Sequence, residues 1–225
     1  MKNKAVILLS GGLDSATVAG IAYSEGYDLY ALSFNYGQRH GIELECSGKV
    51  ADFFKIKHHI MIDIPADIFK SALVKNSGIA VPKSGVDPLK IPSTYVPARN
   101  ILFLSYALAA AESFGASDIF IGANAVDYSG YPDCRPEFFS SFEQMANIGT
   151  KAAIEGKPFK IHTPIINLKK AEIIIKGISL GIDYSITHSC YDPDASGLAC
   201  GACDSCILRR NGFIDAGIPD PTKYI

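Results

Sequence analysis

Apolar and polar residues alternate along this chain in blocks that have the lengths of strands and helices. Residues 5–9 form an unbroken apolar run, which is typical of a strand buried on both faces of a parallel sheet. Strand patterns recur at residues 29–35, 58–63, 118–122 and 159–162. The sequence therefore predicts five strands.

Helical patterns separate these strands. Ala16, Ala19, Gly20 and Tyr23 share one face of the first helix, and the small residues among them allow close packing on the sheet. The second helix carries an apolar stripe, and further helices are predicted over three later segments. The stripe is Ile42, Cys46, Val50 and Phe53, and the later segments are residues 101–114, 137–154 and 169–180.

Strands that alternate with helices predict an α/β fold: a Rossmann-like parallel sheet with right-handed crossovers and helices on both faces. Ligands of such sheets bind beyond the carboxyl ends of the strands. Residues 76–97 lose all periodicity and contain four prolines, which suggests a lid. We expect one α/β domain over residues 1–184 and a cysteine-rich appendage over residues 185–225.

Composition narrows the classes of function. The 225 residues include 21 Lys and Arg against 23 Asp and Glu, a formal net charge of −2. This balance argues against a nucleic-acid partner, which usually selects a basic surface. No apolar stretch reaches the ~20 residues of a membrane helix, and no signal-peptide core is present. These observations predict a cytoplasmic protein that acts on small molecules, with no membrane partner.

The hexapeptide SGGLDS at residues 10–15 lies directly between the first strand and the first helix. Glycines there can expose successive backbone N–H groups as a nest for an anion, and the helix N-terminus adds partial positive charge. Ser10 and Ser15 add hydroxyl donors, while Asp14 either caps the helix or holds Mg²⁺. The Walker lysine of ordinary nucleotide-binding loops is missing, so a different nucleotide chemistry is predicted.

Four of the six cysteines are Cys190, Cys200, Cys203 and Cys206. Two Cys-x2-Cys turns with a fourth cysteine nearby are typical of a tetrahedral zinc site. An iron–sulfur cluster is the alternative, although the ferredoxin continuation x3-Cys-Pro is absent. Four thiolates would close the site, so we expect one structural zinc ion per chain.

The ordered set of motifs resembles the 7-cyano-7-deazaguanine synthase family, which belongs to the PP-loop ATP pyrophosphatases of adenine nucleotide alpha hydrolase-like fold. One departure is Ala98, where that family usually has glycine. The motifs are SGGLDS at 10–15, YGQRH at 36–40, VPARN at 96–100, GAN at 122–124, DYSGYPDCRPEF at 127–138, KAE at 170–172, SCY at 189–191 and CGACDSC at 200–206, with Arg209.

This resemblance implies an ATP-dependent ligase of queuosine biosynthesis. It would convert 7-carboxy-7-deazaguanine and ammonia into 7-cyano-7-deazaguanine through an adenylated carboxylate and an amide, using Mg²⁺ with ATP. The resemblance also implies a homodimer. Arg39 and Arg99 are candidate clamps for pyrophosphate or carboxylate, because their forked guanidinium groups suit bidentate contacts with oxyanions.

We assign three groups of residues on this basis. The expected catalytic residues are Asp14, Ser15, Arg39, Arg99 and Lys170. The expected nucleotide-binding residues are Leu9, Ser10, Gly11, Gly12, Leu13, Asp14, Ser15, Ala16, Thr17, Val18 and Ala19. The expected substrate-binding residues are Tyr36, His40, Asn124, Asp127, Tyr128, Tyr131 and Asp133.

Two rival functions share some of these features. A tRNA-modifying PP-loop enzyme that thiolates a base or attaches lysine would use the same loop, but predicts a basic surface or an RNA-binding domain. A non-catalytic zinc-ribbon module with a nucleotide-sensing domain would leave the motifs at the other strand ends unexplained.

Overall fold

The computed structural model describes residues 2–83, 91–127 and 130–225. Its centre is a parallel sheet of five strands, in the spatial order β3-β2-β1-β4-β5. The α/β fold and the parallel sheet expected from the sequence are confirmed. The strands are β1 (Lys4–Leu8), β2 (Asp28–Asn35), β3 (His58–Asp63), β4 (Asp118–Phe120) and β5 (Lys160–His162).

Helices cover both faces of the sheet, as the continuous apolar run of β1 predicts. Ala5 and Ile7 of β1 pack with the first, sixth and seventh helices, whereas Val6 and Leu8 pack with the third and fourth. The helices are α1 (Leu13–Ser24), α2 (Ile42–Phe53), α3 (Arg99–Phe114), α4 (Pro136–Gly149), α5 (Lys151–Ile154), α6 (Lys170–Ser179) and α7 (Asp204–Asp215).

Two details differ from the sequence pattern. The helix expected over residues 137–154 is divided, because Thr150 is extended between α4 and α5. Tyr23 and Phe53, the last residues of their stripes, are exposed at 47% and 43% rather than buried on the sheet. Both rings instead pack against the buried ring of Phe54, with centroids at 5.5 and 5.0 Å.

The site lies where the strand order reverses. The chain leaves β1 toward β2 on one side, while β4 pairs with β1 on the other, so the carboxyl ends of β1 and β4 flank a crevice. Residues 10–15 follow β1 and residues 121–127 follow β4. Across the described ranges, no helix combines the length and the apolar character needed to cross a membrane.

The cysteine-rich tail packs against the phosphate loop. The backbone N–H of His188 donates to the carbonyl of Gly11 at 3.0 Å. The Arg209 side chain, only 2% exposed, donates to Thr187 at 2.9 Å and to Asp220 at 3.1 Å. The domain boundary predicted at residue 184 stays a prediction, but the two segments share a continuous packed interface.

Candidate active site

The loop after β1 forms a cradle of open backbone donors. Gly11 has a φ of +82°, and a Cβ at this position would collide with the carbonyl oxygen of Glu43. Within the described residues, the amides of Leu13, Asp14 and Ser15 at the start of α1 make no hydrogen bond. These amides and the helix dipole together suit a phosphate group.

Two serine hydroxyls brace this cradle. The hydroxyl of Ser10 donates to that of Ser15 at 3.0 Å, and Ser15 donates to the carbonyl of Gly12 at 3.1 Å. The amide of Ser10 also donates to the Ser15 hydroxyl at 3.2 Å. Ser15 is therefore buried as the brace of the loop, while Ser10 is exposed toward the crevice.

Lys170 joins the two loops of the crevice. Its ammonium group lies 2.7 Å from Oδ1 and 2.9 Å from Oδ2 of Asp14, and 2.9 Å from Oδ2 of Asp127. All three side chains are largely buried. Burial raises the pKa of Asp127, and the Lys170 charge opposes that rise. Asp14 does not cap α1. Gly12 occupies the N-cap position, and no side chain accepts a capping hydrogen bond there.

The position of Lys170 depends on a glycine in α7. A Cβ on Gly212 would collide with Cγ of Lys170 and would lie 2.8 Å from its Cβ. The close approach of α7 thus holds the stem of the lysine in place at the start of α6. This contact aims the ammonium group at the crevice.

Asn124 organises the loop after β4. Its amide nitrogen donates to the carbonyls of Ile165 and Leu168 at 2.9 and 2.6 Å. Its Oδ1 accepts the backbone N–H of Asp127 at 2.7 Å. The Asn124 side chain thus forms hydrogen bonds within the protein and holds the Asp127 backbone in place. Its predicted contact with a base stays a prediction.

The crevice opens into a cavity of about 220 Å³ between the strand ends and α3. Arg99 at the start of α3 lines it, with its guanidinium 3.5 Å from the Tyr36 hydroxyl. Tyr131 also lines it, with its hydroxyl 2.6 Å from that of Thr94. Asp133 is buried nearby and accepts the backbone N–H of Asn100 at 3.3 Å.

Cys134 lines the same cavity but is poorly suited to act as a nucleophile. Burial, with a smaller contribution from Asp133, raises the pKa of its thiol to about 12. The thiol therefore remains protonated at neutral pH, and covalent thiolate chemistry is disfavoured.

Arg39 and His40 lie outside the main cavity. Arg39 donates from Nε to the carbonyl of Ala72 and from Nη2 to that of Ile79, both at 2.6 Å. The bond to Ile79 ties Arg39 to the segment predicted as a lid, and the role of Arg39 as an oxyanion clamp stays a prediction. Both residues line a smaller neighbouring cavity. Tyr128 and the lid residues 84–90 lie outside the described residues.

Glu43, in the first turn of α2, lines both cavities and was not among the expected site residues. Burial raises the pKa of its carboxyl to about 7, even though Arg99 acts in the opposite direction. A lone glutamate on a helix carries no distinguishing sequence signal. Only its place against the phosphate loop identifies it.

The four tail cysteines converge on one point. The Sγ atoms of Cys190, Cys200, Cys203 and Cys206 all lie within 4.8 Å of one another. A zinc ion bound at about 2.3 Å by four thiolates separates the sulfurs by roughly 3.8 Å, so the cluster is compatible with zinc. Hydrogen bonds from Cys190 and then Cys206 hold the pKa of Cys203 well below its usual range.

Backbone amides further prepare this cluster for a metal. The N–H groups of Asp192 and Cys200 point at the sulfur of Cys190 at 3.3 and 3.2 Å, and that of Cys203 points at the sulfur of Cys200 at 3.3 Å. Such donors stabilise thiolate charge.

Comparison with known proteins places this site in context. Residues 4–217 match the family described as queuosine biosynthesis protein QueC. The 7-cyano-7-deazaguanine synthase of Syntrophobacter fumaroxidans is 55% identical, over 100% of this chain and 97% of that protein. The enzyme of the same name from Geobacter metallireducens is 59% identical, over 100% of this chain and 94% of its own length.

A solved structure shows a similar fold. The structure of NMN synthetase from Francisella tularensis matches with a TM-score of 0.50 and 19% identity. It covers 96% of this chain and 78% of that one.

Proposed function

Because the chain belongs to the QueC family of queuosine biosynthesis proteins, we propose that it converts 7-carboxy-7-deazaguanine, ATP and ammonia into 7-cyano-7-deazaguanine. The relatives named for this synthase match along essentially the whole chain. The observation that carries the chemistry is the junction of Asp14, Lys170 and Asp127, which joins the phosphate loop to the loop after β4.

The loop supports binding of ATP with its phosphates at the start of α1. The open amides of Leu13, Asp14 and Ser15 face the crevice as donors to phosphate oxygens. Lys170 adds a fixed positive charge at the same place. In the proposed step, a carboxylate oxygen of the substrate attacks the α-phosphorus and pyrophosphate leaves with the electron pair.

The cavity beside the loop suits a planar base. Tyr36 and Tyr131 offer aromatic surface, and the guanidinium of Arg99 offers a bidentate partner for a carboxylate. Asp133 lies behind this wall, where its bond to the Asn100 amide fixes the start of α3. We propose that Arg99 orients the carboxylate that is to be adenylated.

Two more steps would complete the reaction. Ammonia displaces AMP from the adenylate and leaves an amide. A second ATP then transfers AMP to the amide oxygen and releases pyrophosphate. The C–O bond breaks as AMP leaves with its electron pair, the nitrogen gives up its two protons to water, and the nitrile remains. Both steps need positioning and charge neutralisation rather than a covalent enzyme intermediate, which agrees with the high pKa of the Cys134 thiol.

Metal ions fit two places. We propose that Mg²⁺ bound with ATP neutralises phosphate charge beside Asp14 and Asp127, whose carboxylates pair with Lys170 in this structure. The four tail thiols fit one structural zinc ion. We also propose that the protein acts as a cytoplasmic homodimer without a nucleic-acid partner, in agreement with its net charge of −2.

The experiment incubates the purified protein with ATP, Mg²⁺, ammonium and 7-carboxy-7-deazaguanine, and follows base and nucleotide by mass spectrometry. The expected products are the nitrile, AMP and pyrophosphate. Intact ATP and intact base with a folded, metal-loaded protein would overturn the proposal. ATP consumption stimulated by tRNA rather than by the base would favour the RNA-modifying alternative.

A further inference from the structure

A second, smaller cavity adjoins the main one. Its volume is about 20 Å³, which is room for a single molecule the size of water. Eight described residues line it, and five of them also line the main cavity, so the two spaces share one wall. The shared residues are Tyr36, Gln38, Glu43, Leu73 and Tyr191. Ammonia is nearly isosteric with water, and it fits a space of this size.

The Glu43 carboxylate belongs to that shared wall. It makes no hydrogen bond and no ion pair with any residue in the ranges 2–83, 91–127 and 130–225. Buried or half-buried carboxylates are normally paired, and an exception inside a cavity marks a functional candidate.

Packing fixes the position of Glu43. Its backbone carbonyl lies directly against Gly11, which is why only glycine is accommodated there. The first turn of α2 is thereby clamped to the phosphate loop, and the carboxylate is placed beside the site of adenylation.

We propose that the smaller cavity is the ammonium subsite of the reaction and that Glu43 binds the ammonium ion and accepts its proton. This inference rests on the proposed function, because it assigns the nitrogen substrate of the same site. Glu43 would touch the substrate and is therefore a catalytic residue in this assignment.

Proton transfer to Glu43 precedes formation of the C–N bond. Ammonium gives one proton to the Glu43 carboxylate and becomes neutral ammonia. The nitrogen lone pair forms the C–N bond with the carbonyl carbon of the adenylate, and the C–O bond to AMP breaks with its electron pair leaving on the phosphate oxygen. The second proton leaves the nitrogen to water, and the amide remains.

The charged and titratable groups around Glu43 are compatible with this role. Arg99 faces it from α3, Tyr36 from the end of β2, and Cys46 from its own helix. In the smaller cavity Arg39 directs Nε and Nη2 at backbone carbonyls while keeping its positive charge, and burial lowers the pKa of His40, which favours its neutral form. A carboxyl with a pKa of about 7 exchanges protons readily at neutral pH.

The test compares Glu43→Gln with Glu45→Gln, an exposed glutamate two residues further along the same helix. We expect Glu43→Gln to lower kcat/KM for ammonium by about 100-fold, because proton transfer by a placed base contributes that much. Exchange of pyrophosphate into ATP, driven by 7-carboxy-7-deazaguanine without ammonium, should stay at the wild-type rate. Glu45→Gln should change neither quantity.

Hydroxylamine provides a second measurement, since it is largely uncharged at neutral pH and needs no base. It should form the hydroxamate with Glu43→Gln at nearly the wild-type rate. An unchanged kcat/KM for ammonium in Glu43→Gln, or a loss of the exchange reaction in that variant, would overturn the inference. Absence of exchange in the wild-type protein would instead overturn the proposed function.

Discussion

The ammonium group of Lys170 lies 2.7 Å from Oδ1 of Asp14, although 156 positions separate the two residues in the chain. One comes from the start of α1 and the other from the start of α6. Their contact aligns the phosphate loop with the second half of the domain. Asp127 adds a second carboxylate 2.9 Å from the same nitrogen.

Replacing Lys170 by methionine should disable the site and weaken the fold. Removal of one charge from a buried cluster leaves Asp14 and Asp127 uncompensated, and we expect a loss of about 3 kcal/mol in the free energy of unfolding. We expect kcat/KM for ATP to fall by about 100-fold or more. Urea unfolding and steady-state kinetics measure the two effects.

Two further variants separate charge from shape in this cluster. Lys170→Met combined with Asp127→Asn should recover part of the stability but not the activity. Lys176→Met, on an exposed position of the same helix, should alter neither. Equal stability of Lys170→Met and the wild-type protein would contradict a structural role for the junction.

Ala98→Gly should stabilise the protein. Ala98 precedes Arg99 with a φ of +56° and a ψ of 19°, a left-handed conformation that costs an L-residue about 1 kcal/mol. We expect the glycine variant to gain about 0.5–1 kcal/mol in free energy of unfolding. Ala109→Gly, at an exposed position inside α3, should lose about 1 kcal/mol and serves as the control. A lower melting temperature for Ala98→Gly than for the wild-type protein would contradict the inference that the backbone is strained at Ala98.

The stability of the wild-type protein should fall as pH rises through neutrality, in part because of Glu43. Its pKa in the folded protein, about 7, lies above the ordinary value of 4.5. The folded state therefore binds this proton more tightly, and its contribution is lost as pH rises from 4.5 past 7.

Glu43→Gln should remove this dependence. We expect the variant to be more stable than the wild-type protein by about 2 kcal/mol at high pH, allowing for partial exposure, and equally stable at low pH. Urea unfolding at a series of pH values provides the measurement. Parallel pH profiles for the two proteins would refute the raised pKa.

Metal removal should affect the active site as well as the tail. We expect elemental analysis to find one zinc ion per chain. The zinc should be lost in the Cys203→Ser variant and when the wild-type protein is treated with a chelator. Hydrogen exchange should then increase in residues 189–206, while the five strands remain protected. Because Ser189, Tyr191 and Ser205 line the main cavity, activity should fall together with metal content.

The matched control for the metal is Cys46→Ala. Cys46 is buried on α2 and is not one of the four converging thiols. This variant should keep its zinc. Iron in place of zinc in the anaerobically purified protein would support the iron–sulfur alternative instead.

The sequence predicted the sheet well because its apolar runs are the strands. Continuous burial of β1 on both faces requires an unbroken apolar segment, and that pattern is visible without a structure. Helix α7 was missed for the opposite reason. Its buried positions include Asp204, Ser205 and Arg209, and these polar residues interrupt any apolar stripe. Arg209 is held there by an ion pair with Asp220 and hydrogen bonds to Thr187 and Tyr184.

The structure brings some of the residues predicted for the site together, while their roles stay predictions. The SGGLDS motif at residues 10–15 predicted the phosphate loop. The structure brings Asp14, Lys170 and Asp127 together as neighbours. Local sequence could not show that the side chains of Arg39 and Asn124 donate hydrogen bonds to backbone carbonyls, since the acceptor residues are distant in the chain. The sequence did not identify Glu43 as a site residue for the same reason. Its carboxyl is shielded from water only by residues that are distant in the chain.

The two sides of the main cavity come from opposite ends of the chain, and this has a consequence for the protein during its synthesis. Residues 10–15 leave the ribosome about 10–40 s before Ser189, Tyr191 and Ser205, at ordinary translation rates. Until then one wall of the cavity is missing, and the cavity is open to water. A nascent chain therefore holds only part of the cavity lining, and the closed cavity exists only once the tail has folded against the phosphate loop.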